Sequence, residues 1–428
     1  MSVLRITGGV PLQGEIDVPG SKNTSLAIMS AVLLAKGTTV LHNVPRVSDT
    51  RIKANLLEKF GAKVAWREGS LFIDCSEIYL GEADEETVRS IRTSFYLLGP
   101  LLARIGRAHL PAPGGCKIGA RPVDFHLKGL ALLGAEVELV GGAYVGKADQ
   151  LVGAEIYLDF PSAGATQHLM TTATLAKGVT IIQNAAIEPE VTTLAEFLNR
   201  MGARIEGAGT ATVTIIGVDQ LEPCEFRIPS DRLQAGTYLL AAAVTKGNVK
   251  VMGVLPEHQT PLINKLREAG ADAEEGPDWV RVAAHKRLKA LKIKTMPYPG
   301  FPTDIQQPMA AILALAEGHS VVEETIYESR IGHVQELNRM GAKMSTQGRS
   351  VLIHGVSRLR GAVVEASDLR AGAALCLAGL AAEGETIVKN IHFIDRGYED
   401  LELLLRSLGA SIERIPMPEA EALLPADG

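Results

Sequence analysis

A Gly-Ala pair closes an amphipathic stretch at six places, Gly61, Gly134, Gly202, Gly270, Gly341 and Gly409. The intervals are about 73, 68, 68, 71 and 68 residues, and a period that regular marks repeated structural units. A second glycine ends a small-residue stretch upstream of each pair, at Gly37, Gly106, Gly178, Gly247, Gly318 and Gly384. The spacing predicts six copies of one unit. Each copy opens with a polar cap and a helix apolar almost all round, as in 21–36 or 231–246, and such helices are buried. The upstream glycine is expected to end it as a C-cap. A β stretch follows, as in 38–41 or 179–183. A one-faced helix comes next: Leu194, Phe197, Leu198 and Met201 recur at i, i+3, i+4 and i+7. The Gly-Ala pair ends it, and two strands close the unit. The expected class is α/β (α+β), built of repeated βαβαββ-type units.

The sixth copy lacks its last strands, and the N-terminus supplies a match. Val3-Leu-Arg-Ile-Thr-Gly-Gly parallels Val351-Leu-Ile-His-Gly-Val, and Gln13-Gly-Glu-Ile parallels Arg360-Gly-Ala-Val. The chain should therefore form two domains of three units, 22–229 and 1–21 plus 230–428. It would cross between them near Gly20-Ser21 and near Pro229-Ser230, at a hinge.

Composition bounds the function. Aromatic residues are 4% of the chain, so the cores must be built from Leu, Ile, Val and Ala. A net charge of −6 argues against general nucleic-acid binding but allows a local basic pocket. Cys75, Cys116, Cys224 and Cys376 are scattered, with no CxxC or metal-ligand spacing. A reduced, cytoplasmic setting is expected. The N-terminus shows no signal-peptide pattern, and the apolar run 371–382 is shorter than the roughly 18 residues that cross a bilayer. No metal, organic cofactor or membrane partner is expected.

The helix openings carry more than packing requires: Gly20-Ser-Lys-Asn, Ser90-Ile-Arg-Thr-Ser, Pro161-Ser-Ala-Gly-Ala-Thr, Ser230-Asp-Arg, Thr303-Asp-Ile-Gln-Gln and Ser367-Asp-Leu-Arg. Ser, Thr and Asp are N-caps. Lys22, Arg92, Arg232 and Arg370 are not, and a cation there opposes the helix dipole. Either repeat ancestry left them, or an anion with phosphate or carboxylate groups sits between them and the helix ends, between the domains. The segment 113–126 adds a glycine-rich loop in which Lys117 and Arg121 flank Cys116. Nearby cations activate a thiol, and the spacing alone leaves Cys116 either reactive or inert. Cys376 lies in an apolar helix and reads as core.

The loop Gly114-Gly-Cys-Lys-Ile-Gly-Ala-Arg-Pro-Val-Asp124 resembles that of the enolpyruvyl transferases that act on UDP-N-acetylglucosamine. The resemblance extends through Ser21-Lys-Asn23, Arg92-Thr-Ser94, Ser162-Ala-Gly-Ala-Thr166, Glu188-Pro-Glu190, Asp231-Arg232, Phe301-Pro-Thr-Asp304, Arg330, Asp368-Leu-Arg370 and Ile394-Asp-Arg-Gly-Tyr398. It implies the enolpyruvyl transferase fold, an inside-out α/β barrel of two three-unit domains. It implies transfer of the enolpyruvyl group of phosphoenolpyruvate to the 3'-hydroxyl of UDP-N-acetylglucosamine, the first committed step of peptidoglycan synthesis.

The resemblance also implies roles. Cys116 would protonate C3 of phosphoenolpyruvate, and Asp304 would accept the sugar hydroxyl proton. Lys22, Arg121 and Arg396 would hold the phosphate, and Arg330 and Arg370 the carboxylate. Arg92 would support the loop, Asp368 would orient Arg370, and Asn23 would contact the sugar. Pro122, Val123, Asp124, Phe125, Ser162 and Gly164 would line the uridine and diphosphate site, and Ile326 would join the substrate-binding set. His126 would brace the loop. Ser48 and Phe160 depart from the family, which often has Lys at both, and both changes remove positive charge; Arg46 or Arg51 would compensate for the first. Two other readings share the fold: a 3-phosphoshikimate enolpyruvyl transferase, suggested by Pro19-Gly-Ser-Lys22, and a non-catalytic nucleotide-sugar-binding paralogue.

Overall fold

All six Gly-Ala pairs form the same helix stop. The glycines lie at φ between +90° and +104°, a left-handed conformation that costs an L side chain energy but not glycine. At each, the Gly N–H returns three residues and the Ala N–H five. Gly61 donates to Glu58 and Ala62 to Leu57, and Gly409 donates to Arg406 and Ala410 to Leu405. This is a Schellman cap, which turns the chain from the outer helix into the next strand.

The computed structural model describes residues 2–417 apart from Glu82 and 114–122. Among these, the strands form six sheets, five of four strands and one of three. A complete sheet has one parallel and two antiparallel pairings. In one, Glu155–Tyr157 runs parallel to Val179–Gln183, which pairs antiparallel with Thr212–Ile216, and Arg204–Glu206 forms the edge. The three-stranded sheet belongs to the second unit, where Arg107–Pro111, Ala143–Lys147 and Glu136–Val140 pair without a parallel strand. The N-terminal strand Ser2–Thr7 lies between Glu385–Lys389 and Ser411–Pro416, antiparallel to both, with Leu4 opposite Val388 and Arg414. Gln13–Asp17 runs parallel to Asn248–Met252.

The described residues divide into two compact units, 2–19 with 230–417, and 20–113 with 123–229. Each has its own apolar core. In the first, the helices Arg232–Val244, Thr303–Leu313 and Leu369–Ala381 pack on one another and are buried along nearly their whole lengths. In the second, Lys22–Ala31, Leu98–Ile105 and Ala163–Ala173 take the inner positions. No helix among the described residues is long and apolar enough to cross a membrane.

One expectation is corrected. Gly106 is a helix C-cap, with φ +73°. The other upstream glycines are not: the first inner helix ends at Ala31 and passes through a 3-10 turn, Val32–Leu34, before Gly37. Likewise, helices end at Ala173, Val244, Leu313 and Ala381, ahead of Gly178, Gly247, Gly318 and Gly384. These glycines serve the turn into the following strand.

Candidate active site

Asp304 is the second residue of the Thr303–Leu313 helix, and two guanidinium groups converge on it. Arg330 Nη2 lies 2.6 Å from Asp304 Oδ1, and Arg370 Nη2 lies 3.6 Å from Oδ2. Arg330 is 4% exposed and Arg370 2%, and buried cations at that depth must be paired. Burial would lower the pKa of Arg370, but Tyr398, Asp304 and Asp231 outweigh it and raise the pKa, so the group stays charged.

Both arginines are held from behind. Arg370 Nη1 donates to the Tyr398 hydroxyl (2.9 Å), which lies 2.8 Å from Thr237 Oγ1. Thr237 Oγ1 in turn donates to the Leu233 carbonyl. An arginine only donates, so the protons must run from Arg370 to Tyr398 to Thr237 to the helix backbone. Arg330 Nη1 donates to Thr303 Oγ1 (3.0 Å), and its carbonyl accepts from Gln306. The Nε–H groups of both arginines have no partner among the described residues, so each keeps donor capacity.

The loop carrying Ile326 and Arg330 hangs on Glu324, which is fully buried. Its carboxylate accepts from the side chains of Thr295, Thr303 and Gln306 and from the N–H groups of Ile326 and Tyr327. Five donors offset the cost of a buried charge. Asp368 caps the Leu369–Ala381 helix: Oδ1 accepts from the N–H of Arg370 and Ala371, and Oδ2 from Gln307. It therefore fixes Arg370 through the backbone. Arg396 ends the 3-10 turn Ile391–Arg396. Arg232 lies over the Tyr298 ring at 5.5 Å.

In the other unit the expected residues also gather at helix openings. Ser21 caps the Lys22–Ala31 helix, with Asn23 in its first turn. Lys22 Nζ lies 3.4 Å from Asp49 Oδ2, a carboxylate almost fully buried. Arg92 opens the 3-10 turn Arg92–Leu97. Val123 precedes the Asp124–Leu132 helix, which carries Phe125 in its first turn. Ser162 caps Ala163–Ala173 by accepting from the Ala165 N–H, and Gly164 follows. Of the departures, Ser48 opens the Ser48–Lys59 helix and Phe160 is exposed; Arg46, expected to compensate for the first, places its guanidinium over the Trp66 ring, 5.3 Å from the centroid. Cys116, Arg121 and Pro122 lie outside the described residues. Burial raises the thiol pKa of Cys75 to about 12 and pushes that of Cys376 further up. The half-buried Cys224 moves the same way.

Sequence reading did not single out Glu324, Thr303, Tyr398, Thr237 or His168. Tyr398 stood at the end of the Ile394–Tyr398 motif, which was its only signal. Nothing in the sequence marks Glu324 as a hub, because its five donors come from three separate segments.

Residues 6–405 match the family model of EPSP synthase (3-phosphoshikimate 1-carboxyvinyltransferase). The chain is 51% identical over 412 residues to UDP-N-acetylglucosamine 1-carboxyvinyltransferase 2 of Carboxydothermus hydrogenoformans, covering 96% of this chain and 98% of that one. It is 47% identical to UDP-N-acetylglucosamine 1-carboxyvinyltransferase of Nostoc sp., covering 98% and 95%. Among solved structures, the enolpyruvyl transferase NikO from Streptomyces tendae superposes with a TM-score of 0.88 at 26% identity, over 97% of this chain and 99% of that one. EPSP synthase from Acinetobacter baumannii shares the fold, with a TM-score of 0.76 at 21% identity, covering 97% and 100%. Sequence identity to the proteins that act on the nucleotide sugar is about twice that to the EPSP synthases of the same fold. The chain belongs to the UDP-N-acetylglucosamine 1-carboxyvinyltransferases, within the EPSP synthase family of enolpyruvyl transferases.

Proposed function

We propose that this protein transfers the enolpyruvyl group of phosphoenolpyruvate to the 3'-hydroxyl of UDP-N-acetylglucosamine and releases phosphate, in the cytoplasm, as the first committed step of peptidoglycan synthesis. The observation that carries the reading is the identity of 46% to 51%, over nearly the whole chain, to relatives of that name. The Asp304 cluster suits the chemistry. The sugar hydroxyl adds to C2 of phosphoenolpyruvate as C3 gains a proton, giving a tetrahedral intermediate. C3 then gives up a proton as phosphate leaves C2. Asp304 takes the hydroxyl proton, and Cys116 supplies the proton to C3. Arg330 and Arg370 bind the carboxylate, a task suited to a guanidinium fork. Lys22, Arg121 and Arg396 bind the phosphate and stabilise it as it leaves. Asn23, Arg92, Pro122, Val123, Asp124, Phe125, Ser162, Gly164 and Ile326 complete the substrate contacts, and Asp368 holds Arg370 in place.

Phosphate release from phosphoenolpyruvate tests the reading directly. It is expected with UDP-N-acetylglucosamine and not with shikimate 3-phosphate. Release with shikimate 3-phosphate alone would reassign the acceptor. Tight nucleotide-sugar binding with no release would mark a non-catalytic paralogue.

A further inference from the structure

Glu324 follows the strand His319–Glu323, and its side chain is fully buried. Oε1 accepts from Thr295 Oγ1 at 2.9 Å and from the N–H groups of Ile326 and Tyr327 at 2.8 and 3.1 Å. Oε2 accepts from Thr303 Oγ1 at 2.8 Å and from Gln306 Nε2 at 3.2 Å. The directions are forced, because a backbone amide and a guanidinium only donate. Thr295 Oγ1 accepts from the Thr325 N–H at 2.8 Å, and Thr303 Oγ1 from Arg330 Nη1 at 3.0 Å. Each hydroxyl therefore turns its one proton to Glu324. Gln306 Nε2 also donates to the Arg330 carbonyl at 3.0 Å, which can only accept, so the amide nitrogen is the atom at that corner.

Arg330 is thus tied to Glu324 by its guanidinium through Thr303, by its carbonyl through Gln306, and by the start of its own loop. Thr303 is the first residue of the Thr303–Leu313 helix, yet the residue in the N-cap position is Pro302, which makes no side-chain cap bond. The hydroxyl at this opening is spent on the relay from Arg330 to Glu324 instead. The next residue, Asp304, takes Nη2 of Arg330. Two neighbouring residues of one helix turn therefore hold the two ends of the guanidinium. They differ in what happens during turnover. An Asp304 that has taken a proton no longer pairs with Arg330 as an ion, whereas the Thr303–Glu324 side is unchanged by that step.

We propose that Glu324 is a positioning residue for phosphoenolpyruvate. Through Thr303 it keeps the Arg330 guanidinium aimed at the substrate carboxylate while Asp304 gains a proton. This deepens the function proposed above and rests on it. A neutral amide of the same size cannot replace the carboxylate, because its NH2 would face donors whichever way it turned.

Steady-state kinetics of the full chain, with each substrate varied, tests the relay. Thr303→Val keeps the shape and removes the hydroxyl. It should raise the KM for phosphoenolpyruvate roughly tenfold, leave the KM for UDP-N-acetylglucosamine where it is, and lower kcat by less than KM rises. Thr303→Ser, which keeps the hydroxyl, should recover most of the loss. Glu324→Gln should raise the KM for phosphoenolpyruvate at least as far as Thr303→Val. The double variant should go no further than Glu324→Gln alone, because both changes cut one relay. An unaltered KM for phosphoenolpyruvate in Thr303→Val, equal rises in both KM values, or a Thr303→Ser no better than Thr303→Val would overturn the proposal. So would additive losses in the double variant. The Thr303 pair decides the matter even where Glu324→Gln does not fold. Absence of any phosphate release by the unaltered protein with the nucleotide sugar would instead overturn the reading beneath it.

Discussion

The two units place polar groups at the same structural position, the openings of their inner helices, and finish them differently. In the unit containing Asp304 the centre is charged and tied by side chains: Arg330 and Arg370 on Asp304, with Tyr398, Thr237 and Glu324 behind them. In the unit containing His168 it is anchored to the backbone, by Gly99 on His168 and by hydroxyl caps at Ser21 and Ser162. A charged cluster can exchange one anion for another. A backbone-anchored pair can only fix a direction. The repeat supplies the position, and the side chains decide the task.

The largest expected effect tests whether the charged centre is the chemical one. Asp304→Asn removes the proposed base and leaves two buried guanidiniums against a neutral amide. Turnover should fall by roughly two to four orders of magnitude. Asp49→Asn, which alters the carboxylate beside Lys22, should act mainly through KM, by about tenfold or less. Steady-state kinetics with both substrates varied separates the two, and equal losses in kcat would dissolve the contrast between the units.

A smaller effect sharpens the role of the arginine fork. Arg370→Lys keeps the charge but cannot serve Tyr398 and a carboxylate together. The KM for phosphoenolpyruvate should rise on the order of ten- to a hundredfold, with that for the nucleotide sugar unchanged. A rise in both would show that Arg370 supports the fold rather than the carboxylate.

The smallest effect concerns stability. His333 is fully buried, and neither ring nitrogen has a partner among the described residues. Burial lowers its pKa to about 4, partly opposed by Asp368. The unfolded chain takes up the proton first, near pH 6.5, and the native protein does not. Its contribution is therefore complete above about pH 6.5 and is lost as pH falls toward 4, by about 3 kcal/mol in all. Urea unfolding of His333→Leu should show a flatter fall over that window than the unaltered protein. Parallel curves would mean that His333 is not held neutral in the folded state.

Much of the fold was legible because its signals are local. A Schellman cap needs one left-handed residue and two hydrogen bonds that reach back three and five residues, so Gly-Ala marks it wherever it falls. Ser21, Ser162, Asp231 and Asp368 cap within two or three residues of themselves. The upstream glycines were misread because a turn and a C-cap use glycine for the same backbone freedom, and the sequence does not show where the preceding helix stops. That the sheet of the second repeat has three strands among the described residues was equally invisible, since the period continues across it.

The sequence by itself determined the sixfold period, the Gly-Ala helix stops, the caps and the family, because each rests on short stretches of adjacent residues. It also pointed to Arg370 as a cation at a helix opening, and named Asp304 and Arg330 by resemblance. Tertiary structure alone decided that these three meet, that Glu324 gathers donors from three segments, and that His168 and His126 bring their Nδ1 atoms together. Those facts depend on distances and angles set by packed helices far apart in the chain, and no short stretch of sequence encodes them.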